Sequence, residues 1–137
     1  MIYLILLLSL FTTKLESRAE KQLTKYYQHE IILSEGQSFH DGKIYQMLNN
    51  SDIVYIGKSR SKFEHFDFMV LLDENKTIKL VRVLVYRENY GGEIGSKRWL
   101  RQWIGISKPK HMVSAISGAT ISVHSLKQSI NTLLTKL

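Results

Sequence analysis

The sequence predicts an α+β fold, one small domain with a mixed or antiparallel sheet, flanking helices and a C-terminal helix after a Ser-Gly-Ala-Thr loop. Three observations predict it. Two β-rich runs, 66–72 and 78–86, flank the polar turn Asp73-Glu74-Asn75-Lys76, which is the pattern of a hairpin. In the last stretch, 122–137, Val123, Leu126, Ile130, Leu133, Leu134 and Leu137 fall on one helical face. The chain has 137 residues, 44% of them hydrophobic and 23% charged, which are globular proportions for one core-bearing domain.

The elements follow in order. Residues 2–11 (IYLILLLSLF) are almost wholly apolar. Their length spans roughly half of a 30 Å hydrocarbon core, so they match the centre of an export signal or an anchor rather than a full membrane span. No basic segment precedes them and no small-x-small cleavage site follows, and Lys14 and Arg18 run against the positive-inside rule. A buried N-terminal helix is the alternative. The division is therefore 1–13 as signal or anchor and 14–137 as the folded domain. Residues 16–27 read as a helix, with Leu15, Ala19, Leu23 and Tyr26/Tyr27 at helical spacing. Ile31-Ile32-Leu33 reads as a short strand stopped by Ser34-Glu35-Gly36-Gln37, and residues 53–57 as another strand. Trp99, Leu100, Trp103 and Ile104 have the spacing of a short core helix. Ser122 is a plausible N-cap for the last helix.

Composition excludes several chemistries. There is no cysteine, so disulfides, thiol catalysis and Cys-ligated metals are out. No two of the five histidines have the i,i+4 spacing of a zinc site, and no nucleophile elbow, Walker loop or dinucleotide fingerprint occurs. No metal and no catalytic residue is predicted. The formal charge of +7 permits an anionic partner without identifying one. Lys58, Arg60 and Lys62, followed by Phe63 and Phe66, mimic a nucleic-acid surface but more often mark a solvated loop before a strand whose aromatics face the core, so nucleic acid is not an expected partner.

One motif stands out. Ser117-Gly118-Ala119-Thr120 lies just before the C-terminal helix, followed by Ile121 and Ser122. Small residues allow close approach to the backbone, Gly118 permits a tight turn, and a helix start attracts phosphate through its unpaired N–H groups. A hydroxyl there can bond a phosphate or be esterified by one. The competing reading is a loop whose Ser and Thr cap the helix.

These residues resemble the FMN-binding domain found in the C subunit of the sodium-translocating NADH:quinone reductase, in the G subunit of Rnf complexes and in small stand-alone bacterial proteins. In that family the motif carries FMN on its Thr through a phosphoester made by an FAD:protein FMN transferase, which implies Thr120 as acceptor. A second resemblance covers Glu88, Asn89, Tyr90, Gly91 and Gly92, where the family has Glu-Thr-x-Gly, and extends through Lys97, Arg98 and Trp99. The likeness spans the C-terminal half to two-thirds of the chain. Two departures are Ser114, where the family has Asp three residues before the motif Ser, and Asn89 in place of Thr.

The resemblance implies FMN as cofactor, with Ser117 to Ser122, Glu88, Tyr90, Gly91, Gly92, Lys97, Arg98 and Trp99 as candidate contacts. An isoalloxazine ring needs flat apolar walls, and its reduced anion benefits from a cation or N–H donor near N1 and O2. Tyr90, Trp99 and Trp103 are candidates for the first and Lys97, Arg98 and Arg101 for the second. The implied role is electron transfer more than enzymatic turnover, with membrane or extracytoplasmic redox proteins as partners and an extracytoplasmic location. A basic, non-redox module for nucleic acid or anionic lipid is the alternative.

Overall fold

A computed structural model describes residues 13–89 and 92–137. Helix α1 (Lys14–Tyr27) is followed by five strands: β1 (Gln37–Phe39), β2 (Gly42–Met47), β3 (Asn50–Arg60), β4 (His65–Leu72) and β5 (Ile78–Val85). A 3-10 turn (Gly92–Gly95), the one-turn helix α2 (Lys97–Leu100), a second 3-10 turn (Arg101–Trp103) and helix α3 (Thr120–Lys136) complete the chain. The strands form one antiparallel sheet in the order β1-β2-β3-β4-β5. This is the predicted α+β class, with the sheet antiparallel throughout. The apolar run at 2–11 lies outside the described residues. Among those described, no helix is long and apolar enough to cross a membrane.

Strand β4 is buried along nearly its whole length, which explains its continuous apolar run, Phe66 and Phe68 to Leu72, broken only by Asp67. Its neighbours are β3 and β5. One face of the sheet packs Val54, Ile56, Met69, Leu71 and Leu80 against Ala19 and Leu23 of α1. The other packs Tyr55, Phe66, Phe68, Val70 and Leu72 against Leu100, Trp103, Leu126, Ile130 and Leu133.

Helix α1 begins in a capping box. Thr13 Oγ1 accepts the Glu16 N–H at 3.2 Å, and the Thr13 N–H donates to Glu16 Oε2 at 3.1 Å. The other Glu16 oxygen accepts the Tyr45 hydroxyl at 2.7 Å, tying the helix to β2. Burial, then this bond, pushes the Tyr45 hydroxyl above its ordinary pKa.

Two expectations are corrected and one hairpin is added. Residues 31–33 form only a bridge from Leu33 to Met47. The Ile31 N–H donates to Thr24 Oγ1 (3.1 Å) and the Leu33 N–H to Glu20 Oε2 (2.8 Å), so side chains of α1 occupy donors a strand would need. The β1–β2 hairpin, with Phe39 opposite Gly42, is an addition signalled by Asp41-Gly42. There His40 adopts a positive φ of 52°, and a Cβ at Gly42 would lie 2.3 Å from the Ile56 carbonyl oxygen. Finally, α3 begins at Thr120, so Ser122 sits within the first turn, buried, rather than capping it.

The segment 104–119 has no regular structure, yet side chains fasten it. Trp99 Nε1 donates to the Ser114 carbonyl at 2.7 Å, and Gln102 Oε1 accepts the Ser114 N–H at 2.9 Å. Asn131 of α3 both accepts from and donates to the backbone of Lys110, at 2.8 Å each way.

Helix α3 is held by its apolar face. Leu126→Ala, which removes a side chain with no exposed surface, is expected to destabilise the domain by about 2–5 kcal/mol. Ile121→Ala, at a side chain 47% exposed, should change stability by less than about 0.5 kcal/mol. Urea denaturation of both variants checks the contrast.

Candidate functional site

A cleft of about 820 Å³ opens where the start of α3 meets the ends of β3 and β5. The Ser-Gly-Ala-Thr turn and residues 121 and 122 form one side of its lining. Lys62, Phe63, Tyr86, Glu88, Asn89 and Glu93 supply the rest.

The turn is built by its small residues. The Ala119 N–H donates to the Ile116 carbonyl at 3.1 Å, and Gly118 adopts φ +79°. A Cβ there would meet nothing within 4 Å, so glycine is required by backbone conformation and not by crowding. Ala119 is the N-cap and has no side chain able to accept a bond. The first-turn N–H groups of Thr120, Ile121 and Ser122 therefore lack an intrahelical partner and a side-chain cap. The reading of Ser117 and Thr120 as ordinary caps is not what the turn does. Thr120 stands exposed at the first helical position, and the Ser122 hydroxyl lies 3.2 Å from that of Tyr86. Free N–H groups, the positive end of a 17-residue helix and two nearby hydroxyls suit a phosphate.

The opposite wall depends on two adjacent side chains past the end of β5. Arg87 Nη1 donates to the His65 carbonyl at 2.9 Å, and Nη2 to Oδ2 of the buried Asp67 at 2.6 Å. Glu88 Oε1 accepts the Phe63 N–H at 2.9 Å and so fastens the 61–64 turn. The Ser61 hydroxyl, foremost, and the N–H groups of that turn hold the Glu88 carboxyl below its ordinary pKa. Glu88 is thus a positioning residue for the wall that carries Lys62 and Phe63. Phe63 is 75% exposed, with Lys62 Nζ 5.2 Å from its ring centroid. Phe63 and Ile121 present apolar surface to the cleft, and Lys62 adds a positive charge.

Among the sequence candidates, the cleft gathers Ser117, Gly118, Ala119, Thr120, Ile121, Ser122 and Glu88. Tyr90 and Gly91 lie outside the described residues. Gly92, Lys97, Arg98 and Trp99 do not line it. Trp99 and Trp103 turn into the core, which leaves Lys97 and Arg98 on the outer surface of α2. Lys62, Phe63 and Glu93 are additions from the structure. The Glu88-to-Phe63 bond spans 25 positions, and no local spacing signals it.

The clamp has a pH signature. A carboxyl held below its unfolded value stabilises fully above that value, 4.5 for Glu, and loses the effect as the pH falls through the lowered folded value. The Phe63 amide resonance should titrate with a midpoint below 4.5. Glu88→Gln should abolish that titration and speed exchange of the Phe63 amide by about fivefold. NMR on both proteins checks this.

The cleft pairs an uncapped helix start with apolar side chains and a cation, which fits a phosphate-bearing planar ligand. Comparison with known proteins agrees. A family model for the FMN-binding domain matches residues 64–135, just over half of the chain, from β4 through nearly all of α3. No curated protein matches the chain. Glu88 and the Ser-Gly-Ala-Thr turn both fall within the matched region, and this chain belongs to the FMN-binding domain family, with FMN as its cofactor.

Proposed function

We propose that the chain is an electron-transfer flavoprotein whose FMN is esterified to Thr120. The uncapped start of α3 at the Ser-Gly-Ala-Thr turn carries this reading, because it leaves donors where a phosphate would complete the helix. The N–H groups of Thr120, Ile121 and Ser122 would hold the phosphate. Phe63 and Ile121 would cover apolar ring surface, and Lys62 would favour negative charge on the ring. FMN, when bound, supplies a ring that accepts and returns one or two electrons.

Attachment requires an FAD:protein FMN transferase. Thr120 Oγ1 gives up its proton to a base and bonds to the FMN-side phosphorus of FAD. The pyrophosphate P–O bond breaks, and AMP leaves with the bonding pair. Thr120 is exposed and at the end of its helix, where a second protein can reach it. Ser114, where the family has Asp, is also exposed and engages the protein through its backbone, so a carboxylate there would be read by the transferase without disturbing the turn.

The partners we propose are membrane-associated or extracytoplasmic redox proteins. Support comes from the setting of the resembling reductase subunits and from the apolar segment at 2–11. A fusion of the full chain to a reporter active only outside the cytoplasm should be active, and activity of a cytoplasm-only reporter alone would overturn the location.

Co-expression with a flavin transferase in an exporting host should raise the intact mass by one FMN less water. Thr120→Ala should remove the increment and Thr120→Ser retain it, while Ser114→Asp should speed loading; intact-mass spectrometry reads all of these. An unchanged wild-type mass would sink the covalent reading. For the cation, Lys62→Gln should lower the flavin midpoint potential by roughly tens of millivolts after solvent screening. Lys97→Gln and Arg98→Gln, outside the cleft, should shift it less in the same redox titration.

A further inference from the structure

The charge of this chain is not spread evenly. Residues 94–137 hold seven of its nineteen Lys and Arg and none of its twelve Asp and Glu, so the remainder is neutral in sum. Those residues form the layer over one sheet face: α2, the 104–119 segment and α3. Lys97, Arg98, Arg101 and Lys108 are exposed, and Lys110 is half-exposed. Among the described residues, no ion pair involves any of them; the three ion pairs join His40 to Asp41, Lys79 to Asp52 and Arg87 to Asp67.

We propose that this outer surface is a docking face for anionic lipid headgroups. Three observations favour a bilayer over an acidic protein. The cations are mostly lysines, a residue depleted at protein interfaces, where aromatic and Arg anchors dominate. Both tryptophans of this layer are buried, so it exposes no aromatic anchor. What it does expose among its cations is aliphatic: Met112, 86% exposed, and Ile104, 49% exposed, side chains that can enter the headgroup zone.

The face is also held in place. Asn131 fixes the Lys110 backbone, and Lys127 Nζ donates to the His111 carbonyl at 3.2 Å, so Lys110, Met112 and Lys127 are presented together. On the opposite sheet face, α1 sets Lys14, Arg18, Lys21 and Lys25 against Glu16 and Glu20, a smaller excess that acids partly offset. The proposal stands apart from the flavin reading, since none of these cations lines the cleft.

The test is co-sedimentation of the full chain with vesicles of phosphatidylcholine alone or with about one-third phosphatidylglycerol, at several salt concentrations. Binding to the anionic vesicles is expected to be at least about tenfold tighter and to weaken with salt. Each neutralised contact should cost about fivefold, so Arg101→Gln/Lys108→Gln/Lys110→Gln together should lose roughly a hundredfold. Lys14→Gln/Lys21→Gln/Lys25→Gln, an equal charge change on α1, should stay within about threefold of wild type. Equal binding to both vesicle types would overturn the proposal, as would equal losses in the two triple variants. So would polyglutamate or duplex DNA binding that depends on the Arg101, Lys108 and Lys110 side chains while anionic vesicles are ignored.

Discussion

The burial of β4 on both faces is the constraint on which the rest of the structure depends. A strand of Phe, Met, Val and Leu with hydrogen-bonded neighbours on either side cannot present either face to water. One layer is supplied by α1 and the other by α2, α3 and the segment between them. Because α3 must lie across the sheet to bury Leu126, Ile130 and Leu133, its first turn falls near the end of β5. The cleft opens beside the contact of Ser122 in that turn with Tyr86 past the strand end. Asp67 is the one interruption in the apolar run, and Arg87 answers its buried charge. Removing Arg87 would leave that carboxylate without its cation, the costly case for buried ions.

The cleft divides its labour between backbone and side chains. Its phosphate end is made of N–H groups that the Ser-Gly-Ala-Thr turn leaves uncapped, a feature that needs small residues and a left-handed glycine. Its other wall is a turn that has no regular structure of its own. Glu88 stiffens that turn by accepting the Phe63 N–H, while Arg87 secures the adjoining strand. Neighbouring side chains of opposite charge thus brace two segments without pairing with each other.

Much of this was legible in the sequence, and the reasons are specific. The β4–β5 hairpin announced itself because two β-rich runs flanked a polar turn, and α3 because its leucines kept a helical period. The motif at 117–120 was conspicuous because its residues serve backbone geometry, a local property. The strand expected at 31–33 failed because Thr24 and Glu20 take its N–H groups, a tertiary competition that propensity cannot register. Trp99 looked suited to a ring wall, yet its indole bonds Ser114 and its face packs in the core. Lys62 looked like a solvated loop residue and Phe63 like an aromatic facing the core, whereas Phe63 is exposed in the cleft, because the link of their turn to Glu88 joins positions distant in the chain.

The strand order carries a consequence for how the domain assembles. Every strand pairs with its neighbour in sequence, so the sheet can grow from successive hairpins, each closing a short loop. The contact of α3 with β3 is different. Ser59 Oγ donates to the Ser125 carbonyl at 3.0 Å, across a separation of 66 residues. That closure is far longer than any hairpin's and needs a finished sheet to rest on. The cofactor site, which requires both β5 and the first turn of α3, is therefore expected to be among the last parts of the molecule to form. A chain halted before its final helix would own a nearly complete sheet and no place for a flavin.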